Sequence, residues 1–460
     1  MSLPFHQCPD GGQRQRIAVA RVFLKAALVK QRFCLANWHY REYRGFAASW
    51  KTMLRVQAAE PLAFQFKHPL LLSTEPGHAP WAFATLFFIE STARASLSTV
   101  MPLHAYAVFG DKGSVSLAYT SVACLALVSS FAIPFLIRQF SRRWSYAAGA
   151  ALVALSGILL ATDSISGQLA AMFVRTFGAA ILNITLSLYI LDYINRHDLV
   201  RSEPLRYAVS TLAWIVAPLT GVFFYERFGV WAAGIVPVVG AAVLVSAFWH
   251  LRLHEKLAAG SAQPILKNPL GTVLRFASQP RLRLAWFIAF SRSSFWVTFF
   301  VYVPIMMLEG RLGPYAGGIA VAAGNAMLFN NLLVTRWAKR HSVRKMIVIA
   351  LSGGSVFVVL CGLAGVGHAV LAAAMIVVAA FFISLLDGLG PIPFLRAVRA
   401  HERAQMTTVY RTYLDISELL PPLAYFFAFM AFGFSGAFYL LAVLLLVCAI
   451  VAWRYLPKGL

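Results

Sequence analysis

Trp81-Ala-Phe-Ala-Thr-Leu-Phe-Phe-Ile-Glu90-Ser-Thr-Ala-Arg94-Ala-Ser-Leu-Ser-Thr-Val-Met-Pro102 is a long apolar run with two ionisable side chains near its middle. A run of roughly 20 such residues is what a bilayer core about 30 Å thick demands of a helix. A charge at bilayer depth costs about 2.5 kcal/mol or more, so such residues usually face a polar interior and carry function. Glu90 and Arg94 are four residues apart, which places them on one helix face, where each neutralises the other. Phe287-Ile-Ala-Phe-Ser-Arg292 repeats the theme about 200 residues later. Two readings stand for these residues: a structural ion pair that locks helices together, or the polar lining of a transport path.

The composition agrees with a membrane setting. The chain has 460 residues, is 60% hydrophobic and 12% charged, and has a mean hydropathy of +0.71. A soluble protein carries about twice that charged fraction. Twelve apolar segments are expected, near 81–108, 114–137, 145–162, 167–193, 207–226, 230–250, 284–308, 315–335, 346–365, 369–394, 408–431 and 434–455. The net charge of +23 would suggest nucleic acid in a soluble domain, but here the basic residues fall on alternate loops. Arg138, Arg142 and Arg143 follow the second segment, Arg196, Arg201 and Arg206 the fourth, and six Lys or Arg between 252 and 283 the sixth. Arg336, Lys339, Arg340, Arg344 and Lys345 follow the eighth, and Arg396, Arg399 and Arg403 the tenth. The intervening loops hold at most one basic residue each: Lys112, Arg227 or Arg311. That alternation predicts an all-α polytopic protein with both termini cytoplasmic.

Residues 1–79 form a basic cytoplasmic extension with eleven Lys or Arg and no long apolar run. Arg14 to Phe33 reads either as a basic amphipathic helix on the membrane surface or as a loosely ordered tail. No secretory signal is visible. Cys8, Cys34, Cys124, Cys361 and Cys448 show no metal or disulfide spacing. The polar segment 251–283 divides the spans into an N-terminal set, 80–250, and a C-terminal set, 284–456. Pro218-Leu-Thr-Gly-Val-Phe-Phe-Tyr-Glu-Arg-Phe-Gly229 aligns without gaps to Pro422-Leu-Ala-Tyr-Phe-Phe-Ala-Phe-Met-Ala-Phe-Gly433, 204 residues on. Arg94 pairs with Arg292 at 198 and Pro102 with Pro304 at 202. Parallel repeats of this kind build transporters whose site lies between the halves at mid-membrane.

Two six-span sets joined by a cytoplasmic loop, with basic loops after spans two and eight, resemble the major facilitator superfamily over residues 80–456. Arg175-Thr-Phe-Gly178-Ala-Ala in the fourth span resembles the family's arginine–glycine motif, whose arginine is implicated in proton coupling. Ala217-Pro218-Leu-Thr-Gly221 is similar to the family's fifth-span motif associated with exporters, though Ala217 replaces one glycine. Pro421-Pro422 and Glu402-Arg403 resemble second-half elements. The loop after span two departs from the family pattern: aligned on Arg142-Arg143, Pro134 and Ser141 stand for glycines and Arg138 for an aspartate. Arg336, Lys339 and Arg340 hold the equivalent place in the second half. A separate stretch, Gly11-Gly12-Gln13-Arg14-Gln15-Arg16-Ile17-Ala18-Val19-Ala20-Arg21, resembles the signature segment of ABC-transporter ATPases. No GxxxxGK[ST] loop accompanies it, so it is read as non-functional and no ATP is expected.

Glu90 is the first candidate for proton binding, because burial and Arg94 act on its carboxylate in opposite senses. Arg175 and Arg292 stay charged in the bilayer and serve either an anionic solute or interhelical pairing. Asp387, within Leu386-Asp387-Gly388-Leu-Gly390-Pro391, is a substrate or gating candidate or a helix cap. Arg411, Asp415 and Glu418 read as a solvated cytoplasmic helix end. Asn183, Asn325, Asn330 and Asn331 offer interhelical hydrogen bonds or solute contacts. Phe87, Phe88, Trp286, Trp296 and Tyr302 read as packing or interface aromatics or, for some of them, as the lining of a hydrophobic cavity, and His104 and His368 as exposed interface histidines. The expectation is a proton-coupled secondary transporter of a small organic solute, monomeric, in a bacterial-type inner membrane. Export by antiport is preferred on the Pro218 motif. Uptake by symport and a non-transporting sensor of the same fold are the alternatives. No nucleophile–base pair or metal spacing supports an enzyme.

Overall fold

The structure is a computed structural model that describes residues 79–457, apart from 131, 194–195, 252–268, 332–333, 335–341 and 400–401. The expectations for residues 1–78 and for Arg336, Lys339 and Arg340 therefore lie outside the described residues, as does the side chain of Arg138.

The N-terminal set comprises α1 (Ala79–Ala95), α2 (Leu97–Phe109), α3 (Lys112–Ser130), α4 (Ile133–Leu160), α5 (Ile165–Tyr193), α6 (Arg196–Phe228) and α7 (Val230–His250). A short helix, α8 (Pro269–Ala277), precedes the C-terminal set. That set is α9 (Pro280–Glu309), α10 (Gly313–Ala326), α11 (Val343–Ala364), α12 (Ala369–Leu389), α13 (Pro391–Ala397), α14 (Arg403–Phe432) and α15 (Ser435–Tyr455). Among the described residues no strand occurs, and ten helical stretches are long and apolar enough to cross a bilayer. Of the twelve expected segments, the first and eighth fall short as single helices. The first is divided at Ser96 into pieces of 17 and 13 residues, and α10 ends in a 3₁₀ turn at Met327–Asn330. Ser96 keeps helical angles (φ −56°, ψ −36°), so α1 and α2 run on as one rod. The second segment ends earlier than expected: α3 stops at Ser130, and α4 begins at Ile133 and kinks at Ser141.

The duplication is written in the backbone. Gly110 and Gly313 (φ 81° and 80°), Ser141 and Ser342 (62° and 64°), Asp163 and Gly365 (48° and 54°), and Gly229 and Gly433 (89° and 61°) all take positive φ. These pairs stand 203, 201, 202 and 204 residues apart, the spacing of the sequence repeat. Ser141 occupies a position where the family pattern has glycine, and with ψ near 159° its backbone lies in a region that side chains strain to adopt. Ser342 holds the same strained geometry (ψ 145°).

Exposed apolar side chains such as Val128, Val216, Leu363, Val443 and Phe432 cover the outside. So much contiguous apolar surface is unfavourable in water and suits lipid. Each half has its own apolar core: Tyr146, Tyr189 and Phe248 anchor one, and Phe295, Tyr302 and Phe438 the other. The halves meet chiefly along three helix pairs, α2–α9, α3–α14 and α6–α10. At the end with few basic residues they are tied by Lys112 Nζ to Glu309 (3.1 Å), Tyr106 Oη donating to Glu309 (3.1 Å), and Ser116 with Tyr302 (2.8 Å between hydroxyls).

Candidate functional site

A cavity of about 300 Å³ lies between the halves, deeper along α2 than the Tyr106 and Lys112 ties. Arg175 and Thr176 of α5 line one wall, with Tyr119 of α3 and Trp214 of α6. Trp296 and Phe300 of α9 and Glu418 of α14 line the other. Its size is at the lower end of small-molecule pockets.

Arg175 is fixed by α1: its Nη2 donates to the Arg94 carbonyl at 3.0 Å, while its Nε has no acceptor among the described residues. Arg94 donates to Glu90 at 2.7 Å, and the Glu90 carboxylate, fully buried, also lies 3.4 Å from the Tyr146 hydroxyl. Glu90, Arg94 and Arg175 thus form one chain of contacts running from a closed ion pair to the cavity wall. Arg206 lies close enough to add its charge to Glu90.

The expected pathway residues separate. Arg292 pairs with Asp387 of α12, whose other oxygen accepts from Trp296 Nε1 at 3.3 Å. The helix-cap reading of Asp387 gives way to this ion pair, because α12 continues to Leu389 and the carboxylate turns sideways to α9. Trp296 connects the pair to the cavity. Asn325 donates to the Trp214 carbonyl at 2.9 Å, and Asn330 donates to Ser384 at 3.3 Å within its own half. Asn183 is exposed and away from the cavity lining.

The motif positions have structural reasons. Pro218 has no N–H for the Trp214 carbonyl one turn earlier, and Asn325 of the other half satisfies that carbonyl instead. At Gly221 a Cβ would overlap the Ser96 carbonyl oxygen, so only glycine lets α6 approach the α1–α2 rod. Arg142 and Arg143 follow the Ser141 kink, and Arg143 lies over the Trp249 ring at 5.9 Å.

Two expectations need correction. Glu418 does not sit at a cytoplasmic helix end: it stands midway along α14, and its exposed side chain borders the cavity between the halves. The signal was present in the repeat, since Glu418 stands 204 residues after Trp214, one turn before Pro422 as Trp214 is before Pro218. His104 is not an exposed interface residue but is 2% exposed, 3.6 Å from Asp163. A helix of largely apolar residues gave no hint of which face would turn inward.

A family model described as Major Facilitator Superfamily matches residues 83–420. The chain belongs to the Major Facilitator Superfamily. This membership makes it a multi-pass membrane transporter rather than an enzyme. Solved structures of similar fold include a POT family transporter in complex with 5-aminolevulinic acid, 12% identical, covering 88% of this chain and 99% of that one at a TM-score of 0.68. Another is the nucleoside transporter NupG, 12% identical, covering 82% of this chain and 98% of that one at 0.66. A third is the peptide transporter POT in complex with sulfate, 11% identical, covering 88% and 98% at 0.66. At these identities the likeness is one of fold. No curated protein matches the sequence. For this superfamily member, the two halves, their repeat and the cavity between them are the framework in which any site residue acts.

Proposed function

We propose that the protein is a proton-coupled secondary transporter that carries a small organic solute through the central cavity by alternating access. The observation that carries this reading is the contact chain from cavity to buried carboxylate: Arg175 lines the cavity and holds the Arg94 carbonyl, and Arg94 holds Glu90. A proton on Glu90 releases the Arg94 guanidinium from its partner, and a shift of Arg175 toward a solute disturbs the same helix. Proton and solute are thereby linked through α1 without sharing one atom. No ATP is required, since gradient energy enters through the carboxylate.

The basic loops face the cytoplasm of an inner-membrane protein in this reading, and the chain works as a monomer. The Ala217-Pro218-Leu-Thr-Gly221 motif favours export against a proton. Two POT family transporters of similar fold were solved in complex with a thioalcohol conjugated peptide and with 5-aminolevulinic acid, which supports a small organic solute of that general size.

The test is the pH inside sealed vesicles carrying the purified protein, followed as solutes are added. Solute-dependent proton movement is expected, its sign separating antiport from symport. Glu90→Gln is expected to stop gradient-driven transport while leaving solute exchange intact. A silent response across a broad solute panel would instead favour a sensor that keeps the fold, and full gradient-driven transport by the Gln variant would remove Glu90 from the coupling path.

A further inference from the structure

The two walls of the cavity carry opposite, unspent charges. On the N-terminal wall, one donor of Arg175 goes to the Arg94 carbonyl, and its buried Nε has no acceptor among the described residues. On the C-terminal wall, Glu418 makes no ion pair or hydrogen bond among the described residues. The two groups are near enough to feel one another's charge, yet they form no ion pair. Trp214, Trp296 and Phe300 line the same space and supply its apolar surface.

A solute that fills the cavity takes both charges out of water, and such a charge is costly unless it finds a partner. An anionic solute would satisfy Arg175 but meet Glu418 with like charge, and a cationic one would do the reverse. We propose that the transported solute is dipolar, with an anionic group held by Arg175 and an ammonium group held by Glu418 across a short apolar body. This deepens the transport reading and rests on it. The fork of the guanidinium suits a carboxylate, and the indole and phenyl rings beside Glu418 favour a cation over a neutral group. The cavity of about 300 Å³ limits the body to a few carbons between the charges.

The probe is a series of unbranched ω-amino acids from glycine to 6-aminohexanoate, titrated into the purified full-length protein in detergent with binding read by calorimetry. One chain length is expected to bind best. Its N-acetyl and its carboxamide analogues, each lacking one charge, are expected to bind at least about tenfold more weakly, as buried polar sites reject analogues that leave them unpaired. Glu418→Gln should erase the penalty for acetylation alone, and Arg175→Gln the penalty for amidation alone. The wild-type comparison needs no variant, so a poorly folding mutant leaves the outcome intact. Equal binding of charged and neutralised analogues, or no binding by any member, overturns the dipolar assignment. If the vesicles still couple protons to some other solute, the transport reading survives that result; if no solute moves protons, the transport reading itself has failed.

Discussion

Asn325→Leu should loosen the contact between the two halves beside the cavity by a definable amount. Asn325 is 1% exposed and donates to the Trp214 carbonyl at 2.9 Å, a carbonyl that Pro218 leaves without its helical donor. Removing the amide leaves that acceptor buried and unpaired. Interhelical hydrogen bonds in membrane proteins average about 0.6 kcal/mol and reach about 1.7 kcal/mol. Because this bond joins α10 to α6 across the halves, its loss shifts the balance between closed and open states by about 3-fold to 20-fold. The readout is the modification rate of Thr176→Cys, on the cavity wall, in a background with the five native cysteines replaced by alanine. An impermeant thiol reagent applied from the Lys112 side should react faster by that factor. The decisive variant is the double one. Pro218→Ala returns an N–H to the Trp214 carbonyl, so Asn325→Leu placed on Pro218→Ala should accelerate labelling much less than on the wild type. Equal acceleration in both backgrounds would refute the idea that Asn325 replaces the missing helical donor.

Four further outcomes follow from contacts already described. Gly221→Ala sets a Cβ on the Ser96 carbonyl oxygen, where only backbone can move, and should lower stability by about 3 kcal/mol or more, seen as a large fall in melting temperature or loss of folded protein. Ser141→Gly and Ser342→Gly relieve positive-φ strain of about 1–3 kcal/mol and lose about 1 kcal/mol to chain entropy. Each should therefore raise the melting midpoint slightly, and a fall would contradict the backbone geometry. Arg292→Gln strands Asp387 and should cost about 3–5 kcal/mol, whereas Arg292→Gln with Asp387→Asn should recover much of it; additive losses on unfolding would argue against the pair. Glu309→Gln weakens the ties to Lys112 and Tyr106, and the same cysteine-labelling assay should show a modest acceleration, about fivefold at most because Lys112 is partly exposed.

The sequence determined the class of molecule and its symmetry. Apolar runs of bilayer length, basic residues on alternate loops and the 204-residue correspondence of Pro218 with Pro422 are local or periodic signals, and the paired positive-φ turns obey the same spacing. It also singled out Glu90, Arg94, Arg175 and Arg292, because charges in apolar segments are conspicuous without any knowledge of packing. Their partners were another matter. Within one helix the i and i+4 rule fixes a neighbour, so Glu90–Arg94 was legible; Arg292–Asp387 joins residues 95 apart in sequence and is not. Nor could the chain alone show that Asn325 reaches Trp214, or that Glu418 borders the cavity rather than a cytoplasmic helix end. In a helix that is apolar on most of its circumference, rotation about its own axis is set by the neighbouring helices. Only their packing decides which polar side chains face each other.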